Sequence, residues 1–322
     1  MRSEMKDTNE PVIKVHKLLK RYDTFTAVNE IQFDVHHGEV FGLLGPNGAG
    51  KTTTIEMIEG LRKPDGGHAV VGGYDTQKQL NKVKEVIGVQ LQSTSLFELL
   101  TVKEIVVMYA SFYAHSVPVD PLLESVNLKE KMSTHVKNLS GGQKQRLAIA
   151  LALVNDPLVV FLDEPTTGLD PQARRSLWDI ILRLKDQGKT IVLSTHYMDE
   201  AHILCDRICL MDQGNIIALD TPDALIKNLQ SQNAIEFNLP HLHTLDEQQV
   251  KTVENELKSI PSVENVEHHK DKIVLFTDHL QVTLTSFIQY VETQKWEVHD
   301  LKTRTATLED VFIQMTGKGL DE

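Results

Sequence analysis

A chain of 322 residues with 41% hydrophobic side chains has room for more than one core, and two domains suit its length better than one or three. Its 33 basic and 45 acidic side chains leave a net charge of −12, which argues against nucleic acid as a partner, because such binders carry a basic surface. The opening MRSEMKDTNEPVIKV has no apolar signal core, and no run approaches the roughly 20 apolar residues that cross a bilayer, so a soluble, cytoplasmic protein is expected.

In chain order, the first clear element is VFGLLG at 40–45, an apolar run that reads as a buried strand. GPNGAGKT closes it, and KTTTIEMIEGL then reads as a helix. From Gly45 to Thr52 the residues match G-x-x-x-x-G-K-[ST] between a strand and a helix, the context in which this pattern holds phosphate. The stretch Gly45, Pro46, Asn47, Gly48, Ala49, Gly50, Lys51, Thr52 and Thr53 is assigned to a nucleotide. Its glycines let backbone N–H groups wrap the phosphates, and the helix N-terminus adds its positive dipole end. Lys51 is placed to meet the β- and γ-phosphates and Thr52 to bind Mg²⁺.

Residues 93–135, centred on LTVKEIVVMYASFY, break the strand–helix rhythm and read as a helical insertion. With the helix after LSGGQ, the helical subdomain covers about 93–155. NLSGGQKQRLAIALALV supplies a second grip. Ser140 is a good N-cap, Gly141 and Gly142 expose the backbone, and such a helix end attracts an anion. Taken alone, the five residues LSGGQ are also those of an ordinary capped helix.

LVVFLDEP and TIVLSTH read as buried strands, with the helix PQARRSLWDIILRLKDQGK between them. Apolar strands joined by helices indicate a mostly parallel sheet covered on both faces. Asp163 and Glu164 end the first of these strands, on the edge where such sheets bind ligands. Asp163 is assigned to Mg²⁺, and Glu164 to the attacking water as general base. Without the phosphate loop, both would be ordinary solubilising acids. His196 ends the second strand on the same edge, where an imidazole can donate to the γ-phosphate and orient the water. RICLMDQGNIIAL reads as a hairpin turning at Gly214–Asn215. Cys205 and Cys209 read as small buried hydrophobes, since as a metal pair they lack further ligands.

Composition changes after TPDALIKNLQSQN. Residues 231–322 read strand, helix, two strands, helix, strand, helix: a small α+β accessory or dimerisation domain with no catalytic constellation. Val250, Val253, Leu257 and Ile260 form one core-facing stripe that Pro261 stops, and Thr307 with Asp310 fits a capping box for the last helix. The histidines of HLH and EHHKD read as solvated surface groups.

The order GPNGAGKT, LSGGQ, LDEPTTGLD, STH resembles the nucleotide-binding subunit of ABC transporters over about residues 12–230. The resemblance implies the α/β P-loop NTPase fold of ABC ATPases for a first domain, 1–230. That fold has a mostly parallel core, an antiparallel β subdomain and a helical subdomain. It implies ATP with Mg²⁺, and a homo- or heterodimer joined head to tail. In that pair Ser140, Gly141, Gly142 and Gln143 of one subunit grip the γ-phosphate on the other subunit's loop. Tyr22 in KRYDTFTAV resembles the aromatic that stacks on adenine, with a buried strand aromatic as the alternative, and Asp170 resembles the residue that links the two sites. Of the glutamines in IGVQLQST, the family's spacing favours Gln92 over Gln90 as the one near Mg²⁺ and the water. The helical insertion after it is where the family docks an integral membrane permease. The tail, ending TATLEDVFIQMTGKG, resembles the daunorubicin-resistance type of drug and antibiotic efflux ATPases. The expected function is an ATP-hydrolysing subunit that powers an exporter of drug, antibiotic or lipid-like cargo. It would do so by dimer closure on a separate permease, at the cytoplasmic face of the cell membrane. A soluble ABC ATPase with a regulatory or ribosome-associated role is the alternative.

Overall fold

Alternating apolar and polar residues make an antiparallel pair of β1 (Ile13–Tyr22) and β2 (Phe25–Val35) at the start of the chain. Strands β4 (Gly66–Val71) and β5 (Tyr74–Asp75) extend it to a four-stranded sheet in the order β2-β1-β4-β5. This is a computed structural model, and it describes residues 10–91, 96–229, 233–240, 242, 246–269 and 271–317.

The second sheet has six strands. It comprises β3 (Val40–Leu44), β6 (Ile87–Gln90), β7 (Val159–Asp163), β8 (Thr190–Thr195), β9 (Arg207–Asp212) and β10 (Asn215–Asp220), in the order β10-β9-β3-β8-β7-β6. All neighbours run parallel except β10, which returns antiparallel to β9. Strands β3, β7 and β8 are buried at every position, as strands covered on both faces must be. Their register sets Leu44 beside Thr195 and Asp163 beside Ser194, so three strands end on one line.

Helix α1 (Lys51–Ile58) joins the two sheets. Its Ile55, Met57 and Ile58 share one core with Val15, Leu18 and Phe33 of the first sheet and Phe41, Phe161 and Val192 of the second. Phe33 and Phe41 stack across that core with centroids 5.0 Å apart. Each such fully buried side chain contributes about 2 kcal/mol relative to exposure. The remaining helices of this unit are α2 (Leu80–Val86), α3 (Val102–Ala110), α4 (Val119–Ser125), α5 (Gly141–Leu153), α6 (Pro171–Asp186) and α7 (Met198–Leu204). The expected insertion is helical in its described part, from 96 on, and Thr101 caps α3 in a reciprocal box with Glu104.

The hairpin β9–β10 turns one residue earlier than its sequence suggests. Asp212 pairs with Asn215, which leaves Gln213 and Gly214 as the two loop residues, at φ 45° and 78°. Two positive φ values give the primed turn whose twist matches the strands. The turn is also tied down. Gly214 N–H donates to the Ala49 carbonyl at 3.1 Å, and Asn29 N–H donates to the Gly214 carbonyl at 2.9 Å. Both cysteines are free and buried, and a Cβ at Gly42 would strike the Cys205 sulfur.

Glu59 caps the C-terminal end of α1 at 2% exposure, and neither carboxyl oxygen has a hydrogen-bond partner among the described residues. Burial, then the charges of Asp163 and Glu56, push its pKa from 4.5 to about 8. The folded chain thus holds a proton that the unfolded chain releases. The stability this proton supplies is complete below pH 4.5 and is lost as pH rises to about 8. Urea unfolding should show a loss of up to about 1.4 kcal/mol per pH unit across that window from this group. Glu59→Gln should remove it; a pH slope equal in parent and variant would refute the assignment.

Contacts divide the chain at Thr221/Pro222. Helix α8 (Pro222–Lys227), read from sequence as the end of the first domain, packs on α11 (Leu308–Thr316) in the second unit. That unit contains β11 (Asn233–Asn238), α9 (Glu247–Lys258), β12 (Asn265–His269), β13 (Lys272–Thr277), α10 (Leu280–Gln294) and β14 (His299–Thr305), the expected order of elements. Its antiparallel sheet runs β12-β13-β11-β14. Leu257 and Ile260 are buried against it, with Val250 and Val253 partly so. The Asp310 carboxylate accepts from Thr307 N–H at 2.7 Å and also holds Arg304 at 2.6 and 2.8 Å. His241 and His243 lie outside the described residues; His268 pairs with Glu254 at 2.6 Å.

Candidate active site

The phosphate loop is built where β3 turns into α1. Gly50 N-caps the helix at φ 99°, and a Cβ there would run into the Ala27 carbonyl oxygen, so only glycine fits. Asn47 and Gly48 are exposed, Pro46 is half-buried, and Ala49 is buried. Lys51 is 4% exposed. Its ammonium donates to the Gly45 and Pro46 carbonyls at 2.8 and 3.0 Å and lies 3.8 Å from Glu164 Oε1. Burial lowers the Lys51 pKa, and the charges of Glu164 and Asp163 oppose that shift.

The ends of β7 and β8 complete the cluster. Asp163 Oδ1 accepts from Thr52 Oγ1 at 3.3 Å and from Ser194 Oγ. Burial raises the Asp163 pKa, against the lowering effect of those two hydroxyls. Glu164 sits at φ 47°, outside the strand, with its N–H donating to Ser194 Oγ at 2.9 Å and its Oε2 accepting from Thr167 Oγ1 at 3.1 Å. His196 Nδ1 is 3.4 Å from Glu164 Oε1, within ion-pair reach, and this buried nitrogen has no hydrogen-bond partner among the described residues. An ammonium, a carboxylate and an imidazole thus converge on the line where the parallel strands end, the place where open α/β sheets bind ligands.

Comparison with known proteins shows the family. The ABC transporter family model matches residues 28–167, and the model for the C-terminal domain of DrrA1-3-like ATP-binding proteins matches residues 223–316. The chain is 37% identical to the Nod factor export ATP-binding protein I of Burkholderia lata over 94% of its own length and 96% of that protein's. The chain belongs to the ABC transporter family of ATP-binding proteins.

To the linearmycin resistance ATP-binding protein LnrL of Bacillus subtilis it is 33% identical, over 96% of this chain and 99% of the other. Among solved structures, cbiO1 of Clostridium perfringens, part of the ABC transporter complex cbiONQ, matches 68% of this chain and 92% of its own at TM-score 0.62 and 29% identity. The ATP-binding cassette MJ0796, in a dimeric post-hydrolysis state bound to ADP and Pi, matches 65% and 98% at TM-score 0.59 and 28% identity. The fold is that of ABC ATPases, with a DrrA-like tail, and the activity of this chain is ATP hydrolysis.

The other sequence-derived residues of the ATPase fall as follows. Thr53 is half-buried on α1. Tyr22 is 39% exposed at the end of β1, which excludes the buried-aromatic alternative. Its hydroxyl accepts from Arg62, whose guanidinium lies 5.5 Å from the ring centroid. Ser140 caps α5: its hydroxyl accepts from Gln143 N–H at 3.3 Å, while Gln143 Oε1 accepts from Ser140 N–H at 2.9 Å. Gly141 has open space where a Cβ would stand; a Cβ on Gly142 would come 2.8 Å from that of Ala173. Asp170 caps α6, accepting from Gln172 and Ala173 N–H at 2.9 Å each. Gln92 lies outside the described residues, while Gln90 is buried with its Nε2 bonded to the Leu91 carbonyl.

Thr52 and Asp163 offer a hydroxyl and a carboxylate within 3.3 Å of each other, the hard oxygen set that suits Mg²⁺ shared with phosphate. Sequence reasoning passed over Ser194. It stands on β8 two residues before His196, and its fully buried hydroxyl links the Asp163 carboxylate to the backbone N–H of Glu164. A polar residue in the apolar run TIVLST was the available signal.

Proposed function

We propose that this ATPase powers an exporter, with two such chains closing on two ATP molecules and driving a separate membrane permease. The observation that carries the reading is the convergence of Lys51, Thr52, Asp163, Glu164 and His196 at the ends of β3, β7 and β8. Residues 45–53 wrap the phosphates, with Lys51 on the β- and γ-groups. Tyr22 stacks on adenine. Thr52 and Asp163, with Gln92, would hold Mg²⁺, which when bound neutralises charge on the phosphates. Glu164 polarises the attacking water, and His196 donates to the γ-phosphate. Ser140 to Gln143 grip the γ-phosphate on the second chain, and Asp170 links the two sites. The second chain is a copy of this one or a related subunit.

Phe97, Leu99, Val107 and Phe112 stand 57%, 76%, 49% and 69% exposed in the helical subdomain, which supports permease docking there. No helix among the described residues is long and apolar enough to cross a membrane, in keeping with a subunit that docks on the cytoplasmic face. Relatives named for Nod factor export and linearmycin resistance support export, of a drug, antibiotic or lipid-like cargo in this reading, over the regulatory or ribosomal alternative.

Action of LSGGQ across the pair is tested by mixing. Lys51→Ala and Ser140→Arg chains should each be inactive alone. In a mixed pair, one site carries both defects and the other carries neither. Equal mixing leaves about a quarter of all sites intact, and phosphate release should return towards that fraction. A mixture as inactive as its parents, with mixed pairs demonstrated, would overturn the reading.

A further inference from the structure

The first turn of α6 touches three functional segments at once. Asp170 caps it, and Arg174 N–H donates to the Asp170 carbonyl at 3.0 Å. Ala173 abuts Gly142 in the signature helix α5, leaving no room for a side chain there. Arg174 points to the other motif. Its guanidinium carbon lies 4.4 Å from the centroid of the Tyr197 ring, and that ring lies 4.1 Å from the imidazole of His196, tilted by 43°. Arg174 Nε is buried with no hydrogen-bond partner, so the ring face is what the described residues offer this part of the cation. At the far end of the stack, His196 Nδ1 also lacks a hydrogen bond among the described residues and faces Glu164 Oε1 at 3.4 Å. The Tyr197 ring and the Glu164 carboxylate thus flank the imidazole. Tyr197 itself is fixed by its N–H, which donates to Thr195 Oγ1 at 3.0 Å.

We propose that Arg174 and Tyr197 are positioning residues: the guanidinium–phenol–imidazole stack sets the angle of His196 and couples it to the helix turn that bears Asp170 and abuts LSGGQ. This rests on the assignment of His196 to the γ-phosphate. An orienting stack acts on turnover and not on nucleotide affinity, because ATP binding is carried by the phosphate loop. A planar ring suffices for it, so the Tyr197 hydroxyl is dispensable. Arg174 and Tyr197 act in series, so losing both is no worse than losing one.

The test uses the full-length chain, with steady-state phosphate release and equilibrium ATP binding as readouts. Tyr197→Leu and Arg174→Met should each lower kcat about tenfold, with KM and ATP affinity within about twofold of the parent. Tyr197→Phe should stay within about twofold of the parent, and the double variant should again show about tenfold rather than a hundredfold loss. Should Tyr197→Leu not fold, Arg174→Lys serves instead. It keeps the charge, loses the flat stacking surface, and should lower kcat alone by about threefold. Equal losses in Tyr197→Phe and Tyr197→Leu, additive losses in the double variant, ATP affinity falling with kcat, or parental turnover in Arg174→Met would each overturn the proposal. His196→Ala separates the two levels. Parental turnover in that variant removes the assignment on which the stack depends. An inactive His196→Ala beside fully active Arg174 and Tyr197 variants removes the stack alone.

Discussion

Glu164→Gln should bind ATP as tightly as the parent chain and hydrolyse it about a thousandfold more slowly. The amide is nearly the size of the carboxylate, and an amide oxygen can still accept from Thr167 Oγ1, now at 3.1 Å. The backbone N–H to Ser194 Oγ, at 2.9 Å, is untouched, so the unusual φ of 47° at this position persists. Asp163 and Thr52 are also left in place to hold Mg²⁺. What disappears is a basic oxygen beside the line where phosphate arrives. Equilibrium binding of a fluorescent ATP analogue, set beside phosphate release at saturating ATP, checks both halves. Parental turnover would take the general-base role away from Glu164.

Lys51→Ala should fail earlier, at binding. The Lys51 ammonium is buried and held by the Gly45 and Pro46 carbonyls and by Glu164, and these groups lose their cation together. Its contact with phosphate would be a charge-assisted one of about 2–3 kcal/mol, or roughly a hundredfold in ATP affinity. Hydrolysis falls with occupancy, and raising ATP concentration should not restore the parental rate because the same ammonium neutralises the γ-phosphate as charge builds. Titration calorimetry with ATP and Mg²⁺ reads the loss directly. Unchanged affinity would mean that the loop backbone alone holds the nucleotide.

The strand ends that carry Asp163, Glu164 and His196 were legible because a parallel sheet buried on both faces writes itself as apolar runs, and the residue that ends each run stands at the ligand edge. Ser194 was not legible, since a buried serine and an exposed one look alike within a strand whose partners are unknown. Glu59 was hidden for the same reason. An acid near a helix end reads as solvated, and only the packing of α1 between two sheets takes water from it. The hairpin was misplaced by one residue because DQGN offers two turns. Gly-Asn is the commoner loop pair, whereas the structure puts Gln213 at a left-handed φ that glutamine seldom adopts, and Gly214 second. Helix α8 was given to the wrong unit because its amphipathic face names no partner; only α11 supplies one. The stack of Arg174, Tyr197 and His196 joins residues distant in sequence, and no local pattern announces it.

A two-residue hairpin tip is where a protein engineer ordinarily grafts an epitope, a protease site or a fluorescent domain. The tip at Gln213–Gly214 is a poor choice for a silent graft. Through Ala49 it is bonded to the loop proposed to receive phosphate, and through Asn29 to the first sheet. An insertion there would pull on a carbonyl one residue ahead of Gly50, so the label would alter the affinity it was meant to report. The same wiring suits the tip to a sensor, because a reporter seated there is bonded through Ala49 to the loop proposed to hold phosphate.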